Sequence, residues 1–286
     1  MPSPTLASAT RFDITSRSTG RSYVISLHRP VASPLTGPLE NCPILFVLDG
    51  ALTFGTAVES ASLRTAAGQL EPAVIVGVAY DADLLTMVRM RTKDLTPPAP
   101  EDKYPEMAGM IGTEYGGADA FLEFLIDELA PEIRARAPEA SKTRKALFGH
   151  SLGGLFVANA LMRRPEAFET FLANSPALWW NDFSTLALMR PFRKKTETLS
   201  ARPRVFISVG ALEQEEPSAA PPGVELEAIK VRVREARMVD AAREFADALR
   251  DAKLPEVRFV AFDGEEHGSV LSAAVGRAIT FALRRS

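Results

Sequence analysis

Three stretches of the chain are apolar at nearly every position: Ile44-Leu45-Phe46-Val47-Leu48, Ala73-Val74-Ile75-Val76-Gly77-Val78-Ala79 and Val205-Phe206-Ile207-Ser208-Val209. A strand without a polar face is covered on both sides, which places these runs inside an α/β sheet. Glu169-Thr170-Phe171-Leu172-Ala173 and Val257-Arg258-Phe259-Val260-Ala261-Phe262 are less purely apolar but still read as strands. Ahead of them, Phe12 to Thr15 and Tyr23 to His28 alternate approximately between apolar and polar around Ser18-Thr19-Gly20, the pattern of an edge hairpin. His28 falls in step with Ser26 on the more polar face and is expected to be a solvated strand residue.

Helical spacing fills the intervals. Phe121, Phe124, Leu125 and Ile126 line one side of the segment from Ala118, and Met238, Ala242, Phe245 and Leu249 recur every three or four residues. Pro131 is expected to break or restart the first helix, because it lacks an N–H and clashes in a helix interior. Ser272 to Arg285 reads as a terminal helix. Strands alternating with helices predict an α/β fold with a mainly parallel central sheet, helices on both faces and an N-terminal antiparallel hairpin. With no internal repeat and no linker, residues 11–286 are expected as a single domain behind a disordered start at 1–10. Two connections exceed what the fold needs: Tyr80 to Gly117, with Pro97, Pro98, Pro100 and Pro105, and Gln214 to Glu225, with Pro217, Pro221 and Pro222. Both are expected to leave the C-terminal edge of the sheet, where open α/β folds bind ligands.

Composition narrows the chemistry. A formal net charge of -3 offers no basic field for a phosphate backbone, so nucleic acid is not an expected partner. The single cysteine, Cys42, excludes an intrachain disulfide, and without a Cys/His cluster no metal site is expected. No apolar run is long enough to span a bilayer, so no membrane partner is expected. Residues 1–10 lack the basic and apolar regions of a secretory signal, which makes the cytoplasm the default compartment, or the periplasm if a leader has been removed.

The chemistry is expected at Ala146-Leu147-Phe148-Gly149-His150-Ser151-Leu152-Gly153-Gly154, where an apolar strand enters Gly-x-Ser-x-Gly and passes directly into an apolar helical run. Strand, tight turn and helix make the context of a nucleophile elbow, with glycines two residues either side of the serine because a Cβ there would collide with neighbouring backbone. The helix that follows turns its positive end and free N–H groups toward Ser151.

A serine hydroxyl needs a base, normally histidine. His28 lies in the edge hairpin, and His150 adjoins Ser151 in the elbow with its side chain expected to point away; His267, between the last strand and the last helix, remains. The alternative for His267 is a residue at a helix start with no special role. The acid belongs in the turn after the penultimate strand, Val209-Gly210-Ala211-Leu212-Glu213-Gln214-Glu215-Glu216. Glu213 is nearest the strand end, with Glu215, Glu216 and, further on, Asp263 as rivals. For the oxyanion, the backbone N–H of Leu152 supplies one donor and the turn Leu48-Asp49-Gly50-Ala51 the second, through Ala51; on spacing alone Asp49-Gly50 is a simple turn.

These residues resemble the putative-esterase family of α/β-hydrolases, which includes siderophore trilactone esterases, S-formylglutathione hydrolases, feruloyl esterases and mycolyltransferases. The likeness is closest to the siderophore (ferric enterobactin) esterase branch and covers nearly the whole chain. It is carried by Arg91-Thr92-Lys93-Asp94-Leu95-Thr96-Pro97, Gly117 to Leu125, Phe148 to Leu155 and Asn174-Ser175-Pro176-Ala177-Leu178-Trp179-Trp180. The resemblance implies the α/β-hydrolase fold, Ser151 as nucleophile, His267 as base, Glu213 as acid and Ala51 as second oxyanion donor.

Trp179 and Trp180 follow a strand end close to the serine, where they would either wall an aryl ring or pack under the loop. Arg91, with Arg89 and Lys93, would either meet an anionic or catecholate ligand or form a solvated basic face. The expectation is a serine carboxylic-ester hydrolase acting through an acyl-enzyme on a small-molecule ester, of siderophore or aryl type, without cofactor. An acyltransferase or thioesterase on the same scaffold, or a non-catalytic binding protein, is the alternative.

Overall fold

The computed structural model describes residues 9–220 and 223–285. Among the described residues eight strands form one sheet: β1 Ala9–Thr15, β2 Ser22–His28, β3 Cys42–Leu48, β4 Val74–Ala79, β5 Ala140–His150, β6 Thr170–Asn174, β7 Arg204–Gly210 and β8 Val257–Phe262. Their order is β1-β2-β4-β3-β5-β6-β7-β8, with β1-β2 and β2-β4 antiparallel and every pairing from β4 to β8 parallel. This is the expected mainly parallel α/β-hydrolase sheet with its N-terminal hairpin.

The helices are α1 Gly50–Ala66, α2 Leu84–Leu95, α3 Ala108–Ile111, α4 Ala118–Glu123, α5 Ala130–Arg136, α6 Leu152–Arg163, α7 Trp180–Ala187, α8 Met189–Thr196, α9 Leu226–Ala236, α10 Met238–Asp251 and α11 Val270–Leu283. Alternation along β3 shows how they cover both faces. Ile44, Phe46 and Leu48 join a core with Phe121, Phe124, Phe156 and Phe245, from the α4, α6 and α10 side. Leu45 and Val47 join a second core with Phe54, Val58, Ile279 and Phe281, from α1 and α11.

Pro131 restarts the helix rather than breaking it. Between α4 and α5 the chain widens into a π-helix over Phe124–Leu129, which opens the ladder before the proline, and Pro131 sits in the first turn of α5.

Three expectations need correction. His28 is buried, only 5% exposed, because its strand is flanked on both sides by β1 and β4. The long connection after Tyr80 is not all loop, since it carries α2 and α3. The disordered start reaches too far: Ala9 and Thr10 already pair in β1, while 1–8 lie outside the described residues, as do Pro221 and Pro222 of the second loop. No helix among the described residues is long and apolar enough to cross a membrane.

Candidate active site

β5 ends at His150 and α6 begins at Leu152, so Ser151 alone makes the turn, at φ 59 and ψ -118. A positive φ is costly for a residue with a Cβ and persists only where the surroundings enforce it. Here the Ser151 carbonyl accepts from the N–H of Leu155 (2.9 Å) and Ala177 (3.1 Å), and its own N–H donates to the Asn174 carbonyl (3.0 Å). A Cβ on Gly149 would lie 2.2 Å from the Gly153 carbonyl oxygen, and one on Gly154 would lie 2.6 Å from that of Asn174. Gly153, by contrast, has room: its nearest neighbour would be Asp49 Oδ2 at 3.5 Å. The close approaches are therefore at Gly149 and Gly154, not symmetric about the serine as the motif suggests.

The structure brings three of the expected residues into one chain of hydrogen bonds. His267 Nε2 is 3.1 Å from Ser151 Oγ, and His267 Nδ1 is 2.6 Å from Glu213 Oε2. Glu213 comes from the turn after β7, and its side chain is only 1% exposed against 47% for His267. Its other oxygen accepts from the Gly210 N–H (2.7 Å) and the Ser175 hydroxyl (2.5 Å). Burial works against ionising Glu213, but the hydrogen bond and charge of His267, with those from Ser175 and Gly210, outweigh it and hold the carboxyl below its usual range. Among the rival acids, Glu216 is engaged elsewhere, pairing with Arg234.

His150 does not turn away from this group. Its ring packs against that of His267, and its Nδ1 lies 2.8 Å from the Asn174 side-chain amide.

The two expected oxyanion donors sit at comparable places. Leu152 is the first residue of α6 and Ala51 the second of α1. First-turn amides have no acceptor within their own helix, so both helices end in open donors with the positive end of a dipole behind them. The β3–α1 turn depends on a left-handed Asp49 (φ 54, ψ 46) and on Gly50, where a Cβ would meet Gly77 and Val78 backbone at 2.8 Å.

The expected substrate contacts fare differently. Trp180 is fully buried, donates its indole N–H to the Pro97 carbonyl (3.1 Å) and packs on Tyr104 and Tyr115, so it supports the loop rather than walling a ligand. Trp179 is half-buried against Tyr104. Arg91 forms no exposed basic face: it grips Asp49 through Nε (2.6 Å) and Nη2 (2.8 Å), and Nη2 also reaches the His150 carbonyl (3.1 Å). Its neighbour in the motif, Asp94, is wholly buried between Arg21 (2.7 Å) and the Tyr23 hydroxyl (2.8 Å).

Ser175, Asn174 and Asp49 are the polar groups that sequence reasoning passed over. The first two stand in the Asn174-Ser175-Pro176 motif, whose position after a strand beside the elbow was the available signal. Beside Asp49, Ala51, Arg91 and His150, the apolar side chains of Leu52, Met87, Val88 and Leu271 help enclose a cavity of about 220 Å³. No cluster of three metal-binding side chains occurs among the described residues.

The family model described as Putative esterase matches residues 16–252. The chain is 35% identical over 277 residues to the ferri-bacillibactin esterase BesA of Bacillus subtilis, covering 94% of this chain and 88% of that protein. It is 36% identical over 270 residues to the siderophore triacetylfusarinine C esterase of Aspergillus fumigatus, covering 91% and 88%. Among solved structures, the siderophore hydrolase EstB from Aspergillus nidulans matches with a TM-score of 0.83 at 28% identity, over 99% of this chain and 98% of that one.

Proposed function

The chain belongs to the Putative esterase family and is an esterase, and from that premise we propose that it hydrolyses siderophore-type or aryl carboxylic esters through an acyl-enzyme on Ser151. The observation that carries this reading is the unbroken relay from Ser151 Oγ through His267 to Glu213, with spans of 3.1 and 2.6 Å.

In the first half-reaction Ser151 Oγ attacks the ester carbonyl carbon while His267 Nε2 takes the hydroxyl proton. Glu213 accepts from His267 Nδ1–H, which keeps Nε2 free as the acceptor and offsets the charge the ring acquires. The carbonyl oxygen, now anionic, receives the N–H groups of Leu152 and Ala51 at the starts of α6 and α1. Collapse breaks the bond to the alcohol oxygen, and His267 returns its proton to that leaving group. Water then repeats the sequence on the acyl-enzyme, releasing the acid and restoring the serine.

The substrate class draws on the activities of the two relatives, both siderophore esterases. A ferric siderophore carries its own iron as part of the substrate. Half-buried Trp179 is the aromatic surface open to stack on an aryl group.

Intact-mass analysis after an aryl phosphonate tests the mechanism: one adduct is expected on the parent chain and none on Ser151→Ala. Folded parent protein without an adduct would overturn it and favour a binding module. A panel of short-chain, long-chain, aryl and cyclic trilactone esters, with and without an added alcohol, tests the substrate class and separates hydrolysis from transfer.

A further inference from the structure

Asp49 precedes α1, a position where an aspartate ordinarily turns its carboxylate onto the first-turn amides. It makes no such cap here. Both carboxylate oxygens are taken by Arg91, which approaches from α2 and whose Nη2 also donates to the His150 carbonyl, one residue before the nucleophile. One guanidinium therefore holds the turn that leads to Ala51 and the strand end that leads to Leu152. The Asp49 and Arg91 side chains are 11% and 17% exposed, so water screens the pair weakly. The two turns lie close together, since a Cβ added to Gly153 at the start of α6 would come within 3.5 Å of Asp49 Oδ2. Asp49 itself is left-handed, a conformation that relaxes unless its neighbours hold it.

We propose that Arg91 is a positioning residue for ester hydrolysis: its two-pronged pairing with Asp49, joined to the His150 carbonyl, sets the spacing between the Ala51 and Leu152 amides that receive the oxyanion. Arg91 reaches the reaction through the backbone and not through the substrate. The planar fork matters as well as the charge, because a lysine ammonium cannot span two carboxylate oxygens and a carbonyl in one fixed geometry. This inference rests on the serine mechanism proposed above.

The test compares the parent with Arg91→Lys, Ser151→Ala and the double variant Arg91→Met/Asp49→Asn, using an aryl ester, the aryl phosphonate and thermal unfolding. The double variant removes both charges, so no orphaned carboxylate destabilises the fold or opposes the oxyanion; its residual defect reads the lost tie. Misplacing a donor by a fraction of an ångström to one ångström costs on the order of tenfold to a hundredfold in rate. The expected result for the double variant is a kcat lower by at least about tenfold, a KM within about threefold of the parent and phosphonylation slowed in parallel. Arg91→Lys is expected to share the kcat loss while keeping the charge. A double variant that is folded and has parental kcat overturns the proposal, as does a defect confined to KM, which would make Arg91 a substrate contact. Ser151→Ala separates the two readings: if it still turns over, the serine mechanism fails, whereas an inert Ser151→Ala beside a fully active double variant removes only the role of Arg91.

Discussion

The imidazole of His150 lies against that of His267, with ring centroids 4.7 Å apart and planes tilted by 36°. Two histidines in contact at a reactive centre would hinder each other if both became cations, and the surroundings of His150 prevent this. The Ser208 hydroxyl donates to Asn174 Oδ1 (2.8 Å), which fixes the amide so that its NH₂ faces His150 Nδ1 (2.8 Å). His150 Nδ1 must then accept, leaving the proton on Nε2 and the ring neutral. Burial first, and the nearby charge of His267 second, push its pKa down to about 3.

A depressed imidazole pKa makes stability depend on pH with a definite sign. Between about 3 and the ordinary 6.5 the unfolded chain binds a proton at His150 and the folded chain does not, so stability rises with pH across that window and is lost as pH falls through it. The slope contributed is at most about 1.4 kcal/mol per pH unit. Urea unfolding at about pH 7 and about pH 5 is expected to show a loss on the order of 1–2 kcal/mol in the parent and a flatter response in His150→Gln.

Glu213→Gln is expected to lower kcat by roughly 10³-fold or more with KM within about threefold. Ser175 and Gly210 both donate to Oε1, so the glutamine must keep its carbonyl there and present its NH₂ to His267 Nδ1. That forces the ring proton onto Nε2, which then cannot take the proton of Ser151. Steady-state kinetics on an aryl ester checks the expectation.

The elbow glycines divide unequally. Gly149→Ala places a methyl 2.2 Å from a backbone oxygen and is expected to cost about 3 kcal/mol or prevent folding, whereas Gly153→Ala, with nothing nearer than 3.5 Å, is expected to stay within about 1 kcal/mol of the parent. Thermal unfolding of the two variants separates them directly.

The adjacent tryptophans should separate by the kind of damage they do. Trp180→Ala removes a fully buried ring and is expected to destabilise by about 3–5 kcal/mol. Trp179→Ala is expected to raise KM for aryl esters more than for short alkyl esters, at a smaller stability cost. Denaturant unfolding together with KM across an ester panel tells the two apart.

The parallel strands and the relay residues were legible because each has a local signature. Uninterrupted apolar runs mark strands covered on both faces, and a base and an acid following successive strand ends have few other places to go. What escaped depends on tertiary contact. Arg91 has the same spacing whether it faces solvent or Asp49, and Trp180 looks like Trp179 until a loop more than seventy residues earlier closes over it. His28 reads as polar-facing until a second neighbour pairs with its strand. The helix within the segment after Tyr80 was hidden by the prolines that follow it, since Leu84–Leu95 ends just before Thr96-Pro97-Pro98.

β8 closes one end of the sheet with a single partner, β7, and none of its residues is fully buried. The imidazole hangs just beyond that margin, while Ser151 follows β5, a strand paired on both sides within the sheet, so the two halves of the relay are expected to melt at different points of the stability range. Fraying of the outermost strand would carry His267 away while the remainder of the domain stays folded. Turnover is therefore expected to vanish at a lower urea concentration than circular dichroism, and amide exchange along β8 to be faster than along β5.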